Sequence, residues 1–128
     1  VPSHAIALNW TRSGESITKS VTVTADGEHN VDVTVNAATT DKQVDITLDV
    51  SEIQSLYISS DKDITIETNA TNAAGGNTLT IGADEPMVWY AGCGLTNPLT
   101  ADVTVMYITN AGASAATVKI RILEDVTP

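Results

Sequence analysis

The stretch VTVMYITNAGASAATVKIRIL, residues 103–123, decides the fold. In its second half Val118, Ile120 and Ile122 alternate with Thr117, Lys119 and Arg121, the period of two that gives a strand one apolar and one polar face. Val103 to Asn110 is equally rich in β-branched residues, and AGASAA between the two runs is small and flexible. The stretch therefore predicts two long strands joined by a turn. An earlier segment, LYISSDKDITIET (56–68), echoes MYITNAGASAATVKI (106–120), since each runs from an aromatic-containing strand through a polar turn into an Ile-rich strand. Two copies are too few for a solenoid, so the echo predicts two similar hairpins.

The same alternation extends outward over almost the whole chain. Ile6, Leu8 and Trp10 share one phase, and Ile17, Lys19, Val21 and Val23 share the next, across the SGES turn. Asp26 and Gly27 suit a hairpin turn before Val31, Val33 and Val35. Val44, Ile46 and Leu48, then Leu56 to Ser60, Ile64, Ile66 and Thr68, Leu79 and Ile81, and the PMVWY segment (86–90) continue the pattern. VSEIQS allows one helical turn capped by Ser51, and NATNAAGGN (69–77) reads as the most mobile loop. With 19 Thr, 13 Val and 11 Ile among 128 residues and no Phe, the composition suits pleated sheets rather than helices. The expected fold is all-β, a single jelly-roll-like β-sandwich of about nine strands over residues 1–128, with an extended arm at 1–5.

Charge and chemistry narrow the function. Sixteen acids against six Lys and Arg give a formal net charge of −10, and the cations never cluster, so direct nucleic-acid binding is not expected. Cys93 is the only cysteine, which excludes an intrachain disulfide. No apolar run approaches the ~18 residues of a membrane helix and the first residues do not read as a signal peptide, so the chain is expected to be soluble and made in the cytoplasm. The only histidines are His4 and His29, with no GxSxG, HExxH or Cys/His spacing around them. Cys93 lies between two glycines, with no Lys or Arg between Lys62 and Lys119 to activate a thiolate. Asp26, Glu28 and Asp32, or Asp61 and Asp63, offer oxygen ligands for calcium, but neither group matches a full EF-hand loop, and surface acids are the simpler reading. Two glycosylation sequons, at Asn9 and Asn69, are expected by chance in so Asn- and Thr-rich a chain. No active site, cofactor or metal is expected.

Among the aromatic residues, Trp10 falls in phase with Ile6 and Leu8 and is therefore expected in the core. Trp89 and Tyr90 are adjacent and must point to opposite sides of a strand, so at least one is expected to face a loop, a ligand or another subunit. Subunit contact ranks first, because interfaces favour large aromatic side chains.

From DKQVDITLDVSEIQSLYISSDKDITIETN (41–69) through NPLTADVTVMYITNAGASAATVKIRIL (97–123), the chain resembles small proteins encoded among the head genes of tailed phages, beside the major capsid protein. The resemblance rests on PMVW at 86–89, NPLTADV at 97–103 and the segment from YITN to IRIL, none of them a catalytic signature. It implies a capsid decoration or cement protein, a β-sandwich that is often trimeric, located in the virion on the capsid surface with the major capsid protein as partner. Pro98 and Leu99 then join Trp89 and Tyr90 as candidate contact residues. The alternative from another class is a carbohydrate- or receptor-binding module of a phage fibre or adhesin, using an exposed Trp89 or Tyr90. An enzyme is the third, and would require two carboxylates converging in a pocket.

Overall fold

The structure is a computed structural model and describes residues 1–126. It is all-β, with no α-helix among the described residues, and the strands number ten rather than about nine: β1 (Ser3–Arg12), β2 (Glu15–Thr24), β3 (Gly27–Val35), β4 (Thr39–Val44), β5 (Ile53–Ser60), β6 (Ile64–Thr68), β7 (Thr78–Ile81), β8 (Met87–Tyr90), β9 (Met106–Asn110) and β10 (Ala116–Glu124). β1 and β2 pair only with each other. The other eight form two antiparallel four-stranded sheets, a front sheet in the order β3-β10-β5-β8 and a back sheet in the order β4-β9-β6-β7.

The two sheets enclose one contiguous core, which is what makes the body a β-sandwich. The front sheet contributes Leu56, Ile58, Val118, Ile120 and Ile122, and the back sheet Ile66, Ile81, Met106 and Ile108. Each occupies one phase of its strand, so the period of two in the sequence becomes an inner and an outer face. Leu48, Leu99 and Val103 close the core from connecting segments, with Leu48 and Val103 joined by an isolated bridge.

The connectivity differs from the hairpins expected from the sequence. From β3 to β10, only β6 to β7 stays within one sheet; every other connection crosses from one sheet to the other. The two echoing segments are thus not hairpins: β5 and β6 lie in opposite sheets, and so do β9 and β10. Both turn the corner by the same device. Ser60 and Asn110 end β5 and β9 in the inward phase, where an apolar residue is expected, and both are buried. Ser60 Oγ accepts from Lys62 N at 3.2 Å, and Asn110 Oδ1 accepts from Gly112 N at 3.1 Å. Each side chain turns the backbone two residues on, replacing the ladder bond that a hairpin would have supplied. Asp61 ties the two corners together, since its N–H donates to Thr117 O and its carboxylate accepts from Thr117 N at 2.7 Å.

Asp26 and Gly27 also do not form a hairpin, because β2 pairs with β1 whereas β3 pairs with β10. The chain passes there from the outlying pair of strands into the body, and Asp26 accepts from Val126 N at 2.7 Å. The short helical turn is a 3-10 turn at Val50–Glu52, capped by Asp49 rather than Ser51. The 69–77 loop, expected to be the most mobile, is tied to its neighbours. Asn69 Nδ2 donates to Gly75 O and Asp102 O, both at 2.8 Å, while Asn77 clasps Thr100 through both its amide atoms.

Candidate interaction surface

β1 and β2 make an arm of ten paired residues per strand, closed by a two-residue turn in which Gly14 adopts φ +81°. At about 3.3 Å per residue each strand spans roughly 33 Å. The register gathers His4, Ile6, Leu8 and Trp10 with Ile17, Lys19, Val21 and Val23 on one face, and Ala5, Ala7, Asn9 and Thr11 with Ser16, Thr18, Ser20 and Thr22 on the other. The arm is therefore one-sided, as the alternation predicts. Its tip has nothing to pack on.

The expectation that Trp10 is core is corrected here: it is 70% exposed, with Leu8 at 48% and Ile17 at 53%. A two-stranded ribbon standing apart from the sandwich cannot bury even one face along its whole length. The sequence holds a trace of this, since Lys19 occupies the apolar phase opposite Leu8, where a covered strand would carry a hydrophobic residue. The stretch expected to be extended at 1–5 is only the beginning of the arm, which runs to residue 24.

The root of the arm is pinned to the outer face of the front sheet. Ser55 Oγ and His4 Nδ1 share a short hydrogen bond, while the bond from Ala25 N to Pro2 O, 3.2 Å, carries the β1–β2 ladder one pair beyond Ser3 and Thr24. Leu123, which faces outward by its pairing with Ser55 and Glu28, is fully buried in this region. Burial holds the His4 pKa below its ordinary value of 6.5; the nearby Glu28 opposes the shift and Arg121 adds to it. His4 is thereby favoured in its neutral form, which shares one hydrogen bond with the Ser55 hydroxyl through Nδ1. Beside this contact opens a cleft of about 680 Å3 between β1 and the front sheet, lined by Ile6 and Leu8 on one side and by Glu28, Tyr57, Val88 and Arg121 on the other.

A serine bonded to a histidine near a carboxylate invites comparison with a nucleophilic site. Ser55 is only 1% exposed, so no substrate carbonyl can reach its oxygen, and a histidine with a depressed pKa is a weak base. The pair is a latch for the arm. His29 lies elsewhere, with Nε2 2.6 Å from the buried carboxylate of Glu124. The acids weighed as calcium ligands serve other partners: Asp32 pairs with Arg121 at 2.9 Å, and Asp63 accepts from Ala83 N at 2.7 Å. Among the described residues no three His, Cys, Asp or Glu side chains converge as a metal site requires.

The four contact residues proposed from sequence separate. Trp89 faces inward on β8, packs against the core and donates from Nε1 to Leu95 O at 2.8 Å, fixing the 91–98 loop. Tyr90 faces the opposite way, paired with Ser55, so the adjacency argument correctly sends one aromatic ring outward. Pro98 is half-buried. Leu99 is 0% exposed and belongs to the core, so it cannot meet another chain in this fold; Asn97 turns the segment inward by accepting from Leu99 N at 2.9 Å. Cys93 lies in the same loop, between Gly92 at φ +90° and Gly94 at φ +86°. No helix among the described residues is long and apolar enough to cross a membrane. Comparison of the chain with protein-family models, with curated proteins and with solved structures finds no match in any of the three.

Proposed function

We propose that this protein is a virion structural protein, a phage capsid decoration or cement protein that binds the outer surface of the shell and stabilises it through contacts with the major capsid protein and with copies of itself. The observation that carries this reading is the arm, whose apolar tip stands free of a body in which, among the described residues, no metal-binding cluster of His, Cys, Asp or Glu gathers. An isolated two-stranded ribbon is at best marginally stable in water, so a tip bearing Leu8, Trp10 and Ile17 is built for a protein partner. The strand orders 3-10-5-8 and 4-9-6-7 support reading the body as an eight-stranded jelly roll, an architecture used by viral capsid and lectin domains. The sequence resemblance to phage head proteins supplies the location, the capsid partner and the trimer.

The test is reconstitution on particles. Heads stripped of accessory proteins and incubated with the purified chain are expected to bind it saturably and to rupture at a higher temperature than bare heads. Absence of binding, or recovery of the chain only with tails, overturns the proposal.

The cleft favours one second reading. Glu28, Asn30 and Arg121 around Tyr57 are the polar and aromatic groups that a sugar site combines, which suits a carbohydrate- or receptor-binding module. Glycan binding abolished by Tyr57→Ala would support it, and a glycan screen without hits removes it.

A further inference from the structure

The apolar tip, the distribution of charge and the front-sheet surface fit one another. Residues 1–24 carry Arg12 and Lys19 against Glu15, a net charge of +1, whereas the remainder carries four cations against fifteen carboxylates, −11. The arm is thus the one part of the chain that the acidic body of another copy attracts rather than repels. Arg12 is already paired with Glu15 at 2.7 Å, but Lys19 stands within the apolar face opposite Leu8. Whatever covers that face must offer apolar surface and a carboxylate side by side.

The outer face of the front sheet offers both. Tyr57 and Val88 are cross-strand partners there, and Pro86 borders them. Asp61 and Asp84 lie along the adjoining depression with Tyr57, Pro86 and Lys119; Asp61 already accepts from Thr117 N, so Asp84 is the carboxylate open to a second cation. The chain's own arm walls this surface only with Ile6 and Leu8; held at its root by the His4–Ser55 contact, it leaves its tip exposed and the cleft open.

We propose that the tip of the β1–β2 arm seats on the outer face of the front sheet of a second copy of this chain, Trp10 against Tyr57 and Val88 and Lys19 toward Asp84. Each copy then gives one arm and receives another. Such a contact buries the exposed stripe of every chain only when the assembly closes, as a two-fold dimer with exchanged arms or as a ring. A lipid surface would also accept an apolar tip flanked by cations, but an anionic bilayer repels a body carrying −11. The inference does not depend on the virion reading, since it concerns the purified chain alone.

Light scattering on the wild-type chain is expected to show a discrete oligomer whose mass rises with protein concentration to a fixed value. Trp10→Ser with Ile17→Ser changes only exposed positions, leaves the circular dichroism unchanged and weakens self-association about 30-fold or more, as loss of an aromatic anchor does. For geometry, a Trp10→Cys chain and a Val88→Cys chain, both also Cys93→Ser, are mixed and oxidised, and disulfide-linked heterodimers are expected. A wild-type monomer at every concentration overturns the proposal. So do cross-links formed only between two Trp10→Cys chains, which would mean tip-to-tip pairing, and binding to anionic vesicles that the double serine variant loses.

Discussion

Asn110→Ala is expected to open the corner between the two sheets. The Asn110 side chain is 0% exposed, and its Nδ2 faces three carbonyl oxygens: Val35 at 3.0 Å, Asn36 at 3.3 Å and Ser114 at 2.8 Å. Two amide protons satisfy two of these and share the third, and Oδ1 accepts from Gly112 N at 3.1 Å, so the side chain makes about three hydrogen bonds. Alanine removes all of them. Asn36, Gly112 and Ser114 lie in exposed turns where water can replace part of the loss, at about 0.5 kcal/mol each, but Val35 O is buried and losing its donor costs about 2 kcal/mol. The sum is about 3 to 4 kcal/mol, a large share of the ~5–15 kcal/mol that holds a domain together. It corresponds to a fall in Tm of roughly 10–15 °C for a chain of this size. Urea unfolding followed by Trp89 fluorescence measures it, with wild type and variant at one concentration because self-association adds apparent stability. Asn110→Asp keeps the shape but turns a carboxylate toward three carbonyls, so it is expected to destabilise at least as much. Ser60→Ala, which loses the single contact to Lys62 N at the equivalent corner, costs only about 1 kcal/mol. A loss below about 1 kcal/mol for Asn110→Ala, or wild-type stability for Asn110→Asp, would refute the idea that this side chain closes the corner.

Three further outcomes are expected. The root of the arm is fully held above pH 6.5, where His4 is neutral whether docked or free; as pH falls below that value the undocked form takes up the proton first, so docking weakens until pH passes the lower docked pKa. A lower protection factor at the Ala25 amide near pH 5, the observed exchange rate being divided into the intrinsic rate at each pH, reads this out, and a His4→Gln chain with the same pH dependence of protection sinks it. Leu99→Ala is expected to cost about 2–5 kcal/mol by leaving a core cavity, while Tyr90→Ala costs far less; equal losses in thermal unfolding would contradict the inward placement of Leu99. At Gly76 a Cβ would overlap the Thr68 carbonyl and hydroxyl oxygens, so Gly76→Ala is expected to lower stability by about 2 kcal/mol or more, whereas Gly75→Ala, next to it in open space, meets no atom and is limited to the strain of its positive φ.

The strands and their inward phases were legible in the sequence because a period of two is a local property. Ile58, Ile66, Ile108 and Ile120 are core residues wherever their strands happen to lie. Which sheet each strand joins is a different kind of information. LYISSDKDITIET and MYITNAGASAATVKI look like hairpins because a polar turn between two strands is common to hairpins and to sheet-to-sheet corners. The discriminating signal was present but faint: Ser60 and Asn110 are polar residues in the inward phase at a strand end, affordable only where the side chain bonds the turning backbone. The candidate surface divides in the same way. Alternation gave the arm an apolar face, yet only the tertiary structure decided that none of the described residues covers its tip, and that Leu99 is taken into the core instead. Burial is set by what lies opposite a residue, and around Trp10 the sequence records that only in Lys19, the one charge in the apolar phase of the arm.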